Sequence, residues 1–445
     1  MINLKKTANS QIVSIELPSQ ISLQGKLEIP GDKSISHRAL IFGALAEGLT
    51  SIEGLLESAD VESTAAALRQ MGVVIRKEGP FTLVEGKGLF GLKSPHEVLD
   101  CGNSGTTFRL LMGLLAGQKN FFATLTGDAS LVRRPMKRVA EPLQKMGAHL
   151  ELTSQDYAPV KIEGQALQGI DYELKIASAQ IKTAIILAGL CAQGKTRIQG
   201  QLHSRDHTER MLKSFGVRLT ATSEMIEIDG GQKLKAQNIK VPGDPSTAAF
   251  WLAGACLIPS SEIRLENISL NPSRLGFLRI LERMGAIVVT EKTSDHPEPV
   301  GNIHIKALAL KGVRIGPADI PSMIDELPML AVLATQAEGL TEVTGAEELR
   351  VKETDRIDAV AVNLRAMGAE IETRPDGFSI RGPQKLKGAS IQSFHDHRIA
   401  MAFSMAALVA QGQSLILDAD CVRISYPDFF STLEILTKEE PYGRK

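Results

Sequence analysis

An internal repeat constrains this chain more than any other feature. A leucine-rich phrase closed by glycine recurs as LRQMGVVI ending at Ile75, LQKMGAHL at Leu150, LKSFGVRL at Leu219, LERMGAIV at Val288 and LRAMGAEI at Ile371. The glycines are Gly72, Gly147, Gly216, Gly285 and Gly368, in steps of 75, 69, 69 and 83 residues. STLEILTK, near Leu433, reads as a degenerate sixth copy. Each phrase predicts an amphipathic helix stopped by glycine and followed by a strand. Hairpin signals come next, the clearest being AEIETRPDGFSIRG, where Asp376-Gly377 suits a tight turn.

A second phrase alternates with the first: SISHRALIFGALAEG, NSGTTFRLLMGLLAG, SAQIKTAIILAGLCAQG, DPSTAAFWLAGACL, SMIDELPMLAVLATQAEG and DHRIAMAFSMAALVAQG. Each opens on a cap-like residue (Ser34, Asn103, Ser178, Asp244, Ser322, Asp396) and then turns almost wholly apolar. A helix tolerates that only when it is buried nearly all round. The repeat unit is therefore a buried helix, a strand, an amphipathic helix and a hairpin, about 70 residues in all. Six units make two groups of three. Pro-Gly-Asp occurs before the first and fourth buried helices, at 30–32 and 242–244, which suits a chain crossing between domains. The expectation is an α/β protein with one domain at 32–243 and another joining 1–31 to 244–445.

With 50 Lys and Arg against 51 Asp and Glu, the chain has no charge surplus to attract nucleic acid or an acidic membrane. Cys101, Cys191, Cys256 and Cys421 lie far apart without a C-x-x-C pair, which predicts buried free thiols and a reducing compartment. The opening residues lack a signal-peptide apolar core, and apolar runs such as Ile399 to Ala410 are too short to span a bilayer. The expectation is a soluble cytoplasmic protein.

Anion affinity in such a chain must come from local clusters. Helix N-termini bind phosphate and carboxylate readily, and here several starts also carry cations: Lys33 and Arg38 in GDKSISHR, His397 and Arg398 in DHR. Arg134, Arg205, Arg274 and Arg356 stand 11 to 13 residues before the repeat glycine. Any one of these could cap a strand or pair with a surface acid. Arg134, Arg205, Arg356 and Arg398, taken together as recurring elements, point instead to a pocket for a small polyanion. Asp325 in PSMIDELP and Glu353 in VKETDR, three residues before Arg356 on the same expected helix face, are candidate acid–base groups. Their structural alternatives are an N-cap and a salt-bridge partner. No residue spacing calls for a metal or another cofactor.

PGDKSISHRAL (30–40), GNSGTTFRLL (102–111), GDASLVRRPM (127–136), SAQIKTA (178–184), SRDHTERM (204–211), PSMIDELP (321–328), LRVKETDR (349–356) and DHRIAMAF (396–403) resemble the enolpyruvyl transferase family, in particular its shikimate-pathway branch. The resemblance implies two inside-out, barrel-like α/β domains of three βαβαββ repeats each, with the active site in the cleft between them and domain closure on the first substrate. It implies transfer of enolpyruvate from phosphoenolpyruvate to shikimate 3-phosphate, by a monomer, on the way to chorismate. Lys33, Ser34, Arg38, Ser178, Ala179, Gln180, Arg205, Asp325 and Lys352 would hold shikimate 3-phosphate. Lys33, Gly105, Arg134, Gln180, Glu353, Arg356 and Arg398 would surround phosphoenolpyruvate. Asp325 would act as base, and Glu353 or Lys33 as acid.

Two positions depart from the family pattern. Ile424 in CVRISYPDFF stands where many relatives carry lysine, and strand alternation would turn the adjacent Arg423 the other way. Leu110 follows Arg109 where relatives often have proline. Gly105 implies sensitivity to glyphosate, since relatives with alanine there tend to exclude it. The rivals are a sister enzyme acting on a UDP-linked amino sugar, whose reactive cysteine the GDASLVRRP loop lacks, an RNA 3′-phosphate cyclase, which the charge balance disfavours, and a non-catalytic scaffold that binds an anionic metabolite.

Overall fold

Twelve α-helices in the computed structural model, which describes residues 2–6, 11–16, 21–154, 156–306 and 309–437, alternate strictly in burial. They are α1 (Lys33–Leu45), α2 (Ala59–Gln70), α3 (Gly105–Ala116), α4 (Lys137–Lys145), α5 (Ala179–Cys191), α6 (His207–Ser214), α7 (Pro245–Leu257), α8 (Gly276–Arg283), α9 (Leu327–Ala334), α10 (Arg356–Ala366), α11 (His397–Ala407) and α12 (Phe429–Thr437). The odd-numbered helices are the apolar phrases, and α7, α9 and α11 are buried at every position. The even-numbered helices bury one face only. In α8, Phe277, Leu278, Ile280 and Leu281 are inside while Arg279, Glu282 and Arg283 face water. Gly72, Gly147, Gly216, Gly285 and Gly368 take φ of +88°, +95°, +85°, +102° and +81°, a left-handed conformation that ends five even-numbered helices. A side chain there would meet its own backbone.

The helix caps partly differ from expectation. Ser178, Asp244 and Asp396 cap α5, α7 and α11 as read. Asp32 rather than Ser34 caps α1, accepting from Ile35 N at 2.9 Å, and Ser104 rather than Asn103 caps α3. Neither Ser322 nor Asp325 opens α9. Two 3₁₀ turns, Ile320–Ser322 and Ile324–Glu326, come first. Pro328 has no N–H to donate to the carbonyl of Ile324, so α-helical bonding cannot run back through this segment.

Each four-stranded sheet is assembled around one buried helix. Leu99–Asp100, α3, Phe122–Thr126, α4, His149–Glu151 and Val160–Glu163 follow in order and form one four-stranded sheet. The first strand pairs parallel to the second, and the hairpin adds antiparallel strands, with Ala123 opposite Ile162. Asp171–Leu174 to Ile226–Asp229 and Arg314–Ile315 to Gly377–Gly382 repeat this order. The other three four-stranded sheets borrow strands distant in sequence, and a separate two-stranded ladder pairs Leu234–Lys235 parallel to Ala46–Glu47. Asn238–Lys240 lies parallel to Leu49–Glu53, and Gln24–Glu28 lies parallel to Glu262–Ser269. The antiparallel strands Ile2–Lys6 and Gln11–Glu16 complete the sheet after α11, with Val13 opposite Ile416. Among the described residues every sheet is open, so no closed barrel stands behind the barrel-like expectation. The hairpin turn is Pro375-Asp376, one residue earlier than read. Gly377 pairs with Arg374 and begins the return strand, where a Cβ would lie 1.9 Å from the carbonyl oxygen of Val343 and only glycine fits.

The chain divides into two compact units. One comprises Gly31–Pro242 with His296–Glu298, and the other Met1–Pro30, Gly243–Asp295 and Pro299–Lys445. Each has its own hydrophobic core. In the first, α3 and α5 approach so closely that a Cβ on Gly113 would sit 2.2 Å from the carbonyl oxygen of Ala184. Gly113→Ala is expected to cost about 3 kcal/mol, because one backbone must be forced off the other. A urea midpoint close to wild type would refute this. All four cysteines are free and buried, and burial pushes the Cys191 and Cys256 thiols up to about 12. No helix among the described residues is long and apolar enough to cross a membrane.

Candidate active site

Lys33 and Ser34 form the first turn of α1, directly after the Asp32 cap. Lys33 Nζ meets Asp60 of α2 at 3.0 Å, so a buried carboxylate holds the ammonium at the helix start. One turn later Arg38 is nearly enclosed and spreads its fork over three oxygens. Nε donates to Thr208 Oγ1 (2.7 Å), Nη2 to Thr183 Oγ1 (2.8 Å) and Nη1 to the carbonyl of Ser34 (2.9 Å). Burial lowers the Arg38 pKa to about 10, with Arg205 adding to the effect against Glu209, Asp32 and Glu298. The guanidinium therefore stays charged at neutral pH. Arg205, two residues before α6, donates to Ser34 Oγ at 3.3 Å.

In the same unit, Arg134 folds back onto the start of α3, donating to Asn103 Oδ1 (2.8 Å), the Asn103 carbonyl (3.3 Å) and Ser130 Oγ (3.2 Å). Ser178 caps α5, so Ala179 and Gln180 lie in its first turn, where helix N–H groups favour anions. Gln180 donates to Thr106 Oγ1 at 3.0 Å and accepts from Arg109. A Cβ on Gly105 would lie 3.0 Å from Arg109 Nη1 and 3.3 Å from Arg134 Nη1. The glycine thus leaves room for two guanidinium groups at one helix start.

The other unit gathers the remaining candidates. Arg356, the first residue of α10, is 1% exposed and donates to Asp396 Oδ2 (2.8 Å), Glu353 Oε2 (2.7 Å) and Asp325 Oδ1 (3.2 Å). Burial draws its pKa down, but Asp396, Glu353 and Asp325 outweigh that and hold it above the ordinary arginine range. Asp325 Oδ1 also lies 3.7 Å from Lys352 Nζ, and Oδ2 lies 3.7 Å from Arg398 Nη2. Arg398 donates to the Asp325 carbonyl at 3.3 Å. One carboxylate therefore faces three cations. Glu353 reaches Arg356 without sharing its helix, since α10 begins at Arg356 and Glu353 lies in the turn before it.

Sequence reasoning passed over several partners. Asp60 and Asp396 brace Lys33 and Arg356 from 27 and 40 residues away. Arg109 was legible in GNSGTTFRLL, where it follows Gly105 by one helical turn. The repeat arginines obey one rule: Arg134, Arg205, Arg274 and Arg356 each contact the opening of a buried helix, at Asn103, Ser34, Asp244 and Asp396. Arg274 is buried and braced by Asp244 (2.7 Å) and Ser246 (2.9 Å). The strand argument at Ile424 fails, because Ala419–Ile424 is a 3₁₀ helix with three residues per turn. Ile424 packs against the core there and Arg423 is exposed.

A family model described as EPSP synthase (3-phosphoshikimate 1-carboxyvinyltransferase) matches residues 18–433. A 3-phosphoshikimate 1-carboxyvinyltransferase of Bacillus thuringiensis (strain Al Hakam) is 48% identical over 423 residues, covering 95% of this chain and 98% of that protein. One from Bacillus cereus (strain 03BB102) matches at the same identity and coverage. The solved structure of EPSP synthase from Acinetobacter baumannii matches with a TM-score of 0.84 at 43% identity, covering 96% of this chain and 98% of that one. Sequence, fold and the arginine-lined helix starts thus agree, and the chain belongs to the EPSP synthase (3-phosphoshikimate 1-carboxyvinyltransferase) family.

Proposed function

We propose that this protein transfers the enolpyruvyl group of phosphoenolpyruvate to the 5-hydroxyl of shikimate 3-phosphate, releasing phosphate. The observation that carries this reading is Asp325, a carboxylate set among Lys352, Arg356 and Arg398. That arrangement suits a base which must work beside anionic substrates. Asp325 takes the hydroxyl proton as the oxygen attacks C2, and an acid, Glu353 or Lys33, protonates C3. The tetrahedral adduct then loses a methyl proton, the C2–O bond to phosphate breaks, and the C2–C3 double bond re-forms. Arg134, Arg356 and Arg398 offset the charge gathering on the leaving phosphate. Lys33, Ser34, Arg38, Ser178, Ala179, Gln180 and Arg205 cradle shikimate 3-phosphate, while Lys33, Gly105, Gln180 and Glu353 line the phosphoenolpyruvate position.

We read each unit as an inside-out domain of three βαβαββ repeats, with both contributing to one reaction in a monomeric cytoplasmic enzyme. The deciding assay is phosphate release from phosphoenolpyruvate with shikimate 3-phosphate, run beside a UDP-N-acetylglucosamine control. Release only with the UDP-sugar, or with neither acceptor, overturns the proposal. Gly105→Ala tests the glyphosate expectation. A methyl group pressed against the Arg109 and Arg134 guanidiniums is expected to raise the glyphosate inhibition constant at least about tenfold, the effect of roughly 1.4 kcal/mol. Equal inhibition of both proteins would contradict it.

A further inference from the structure

Glu298 is 3% exposed, on a segment where the chain leaves one compact unit for three residues. His296–Glu298 belongs with Gly31–Pro242, whereas the flanking strands Ile287–Ser294 and Val300–Lys306 belong to the other unit. A carboxylate removed from water to this degree is costly unless it is paired. Its partner is His207, which is 0% exposed, and Nδ1–H donates to Glu298 Oε1 at 2.7 Å.

His207 occupies a specific place. It is the first residue of α6, two residues after Arg205 and one before Thr208. Arg205 contacts Ser34 Oγ, while Thr208 Oγ1 accepts from Arg38 and lies 2.6 Å from Thr183 Oγ1. Arg205, assigned above to the shikimate phosphate, and Thr208, which holds the likewise assigned Arg38, thus leave the backbone on either side of one anchored imidazole. The same carboxylate acts on Arg38 electrostatically, offsetting part of the burial that destabilises that guanidinium. Of the two other buried acids acting on Arg38, Glu209 is already paired with Lys182 at 2.6 Å and Asp32 caps α1.

We propose that Glu298 is a positioning residue for shikimate 3-phosphate: by holding His207 it fixes the start of α6, and with it Arg205 and the Thr208–Arg38 contact, in the geometry that accepts the phosphate. The inference rests on the reaction proposed above and adds a residue 91 positions from its partner that no local motif marks. It differs from plain stabilisation in its kinetic signature, since it acts on one substrate only.

The test is initial-rate kinetics on the full chain, varying each substrate at saturating levels of the other, with melting midpoints measured alongside. Glu298→Ala is expected to raise KM for shikimate 3-phosphate about tenfold, while kcat and KM for phosphoenolpyruvate stay within about twofold. Glu298→Gln keeps an acceptor for Nδ1–H but loses the charge, and is expected to fall between alanine and wild type. Because the pair acts as a unit, Glu298→Ala combined with His207→Ala is expected to be no worse than His207→Ala alone. An unchanged KM for shikimate 3-phosphate overturns the proposal, as does a loss shared equally between both substrates. If the alanine variant does not fold, the same criteria apply to Glu298→Gln. A wild-type protein without turnover overturns the reaction reading and this inference together, whereas turnover with an unmoved KM overturns the inference alone.

Discussion

Asp325→Ala is expected to lower kcat about a thousandfold, the middle of the range for a positioned general base, without raising KM for phosphoenolpyruvate. The two halves of that expectation have separate causes. The rate falls because Asp325, the proposed acceptor of the hydroxyl proton, sets its carboxylate within 3.7 Å of both Lys352 and Arg398, and alanine supplies no group in its place. Anion binding holds because removing the carboxylate leaves Lys352, Arg356 and Arg398 with one fewer negative charge to face. The Asp325 backbone carbonyl that accepts from Arg398 survives the substitution. Asp325→Asn, of nearly the same shape, should show the same split. Single-turnover phosphate release with calorimetric titration of phosphoenolpyruvate separates the terms. A kcat within tenfold of wild type, or a defect confined to KM, would exclude Asp325 as the base.

Arg356→Met should carry the largest stability loss. Its side chain is about the right length for the space, but it leaves Asp396, Glu353 and Asp325 without their shared cation, and Asp396 is fully buried. Breaking a buried ion pair from one side costs about 3–5 kcal/mol. For a unit of this size that lowers the melting midpoint by roughly 10 °C. Arg356→Lys restores one charge but not the planar fork that reaches three carboxylates at once. It should recover part of the stability and little of the activity. Calorimetric melting of the three proteins tests the ordering, and a methionine variant as stable as wild type would show that these carboxylates find other compensation.

The mixed α/β fold was legible because its signals are local. An apolar run such as 245–257 can be a helix only if it is buried all round, and a glycine such as Gly72 marks the one backbone conformation that ends its helix without strain. Misreadings occurred where a local rule met a second constraint. Proline at 328 moved the start of α9, a 3₁₀ turn replaced the strand around Ile424, and hairpin geometry shifted the turn at Pro375. Chain connectivity was the least legible part. The strand beside Leu49–Glu53 comes from Asn238–Lys240, and the last sheet borrows the strands Ile2–Lys6 and Gln11–Glu16, because strand pairing carries no sequence signal of its partner's address.

By itself the sequence determined the repeat, the burial of its alternate helices and the set of basic and acidic side chains at their starts, all of which depend on neighbours a few residues apart. The tertiary structure decided which charges compensate one another. Asp60 braces Lys33, Asp396 braces Arg356, Arg109 meets Gln180 and Glu298 holds His207, across 27, 40, 71 and 91 residues. Such pairs form because a charge taken from water needs a partner within a few ångströms in space, and separation along the chain has no bearing on that distance.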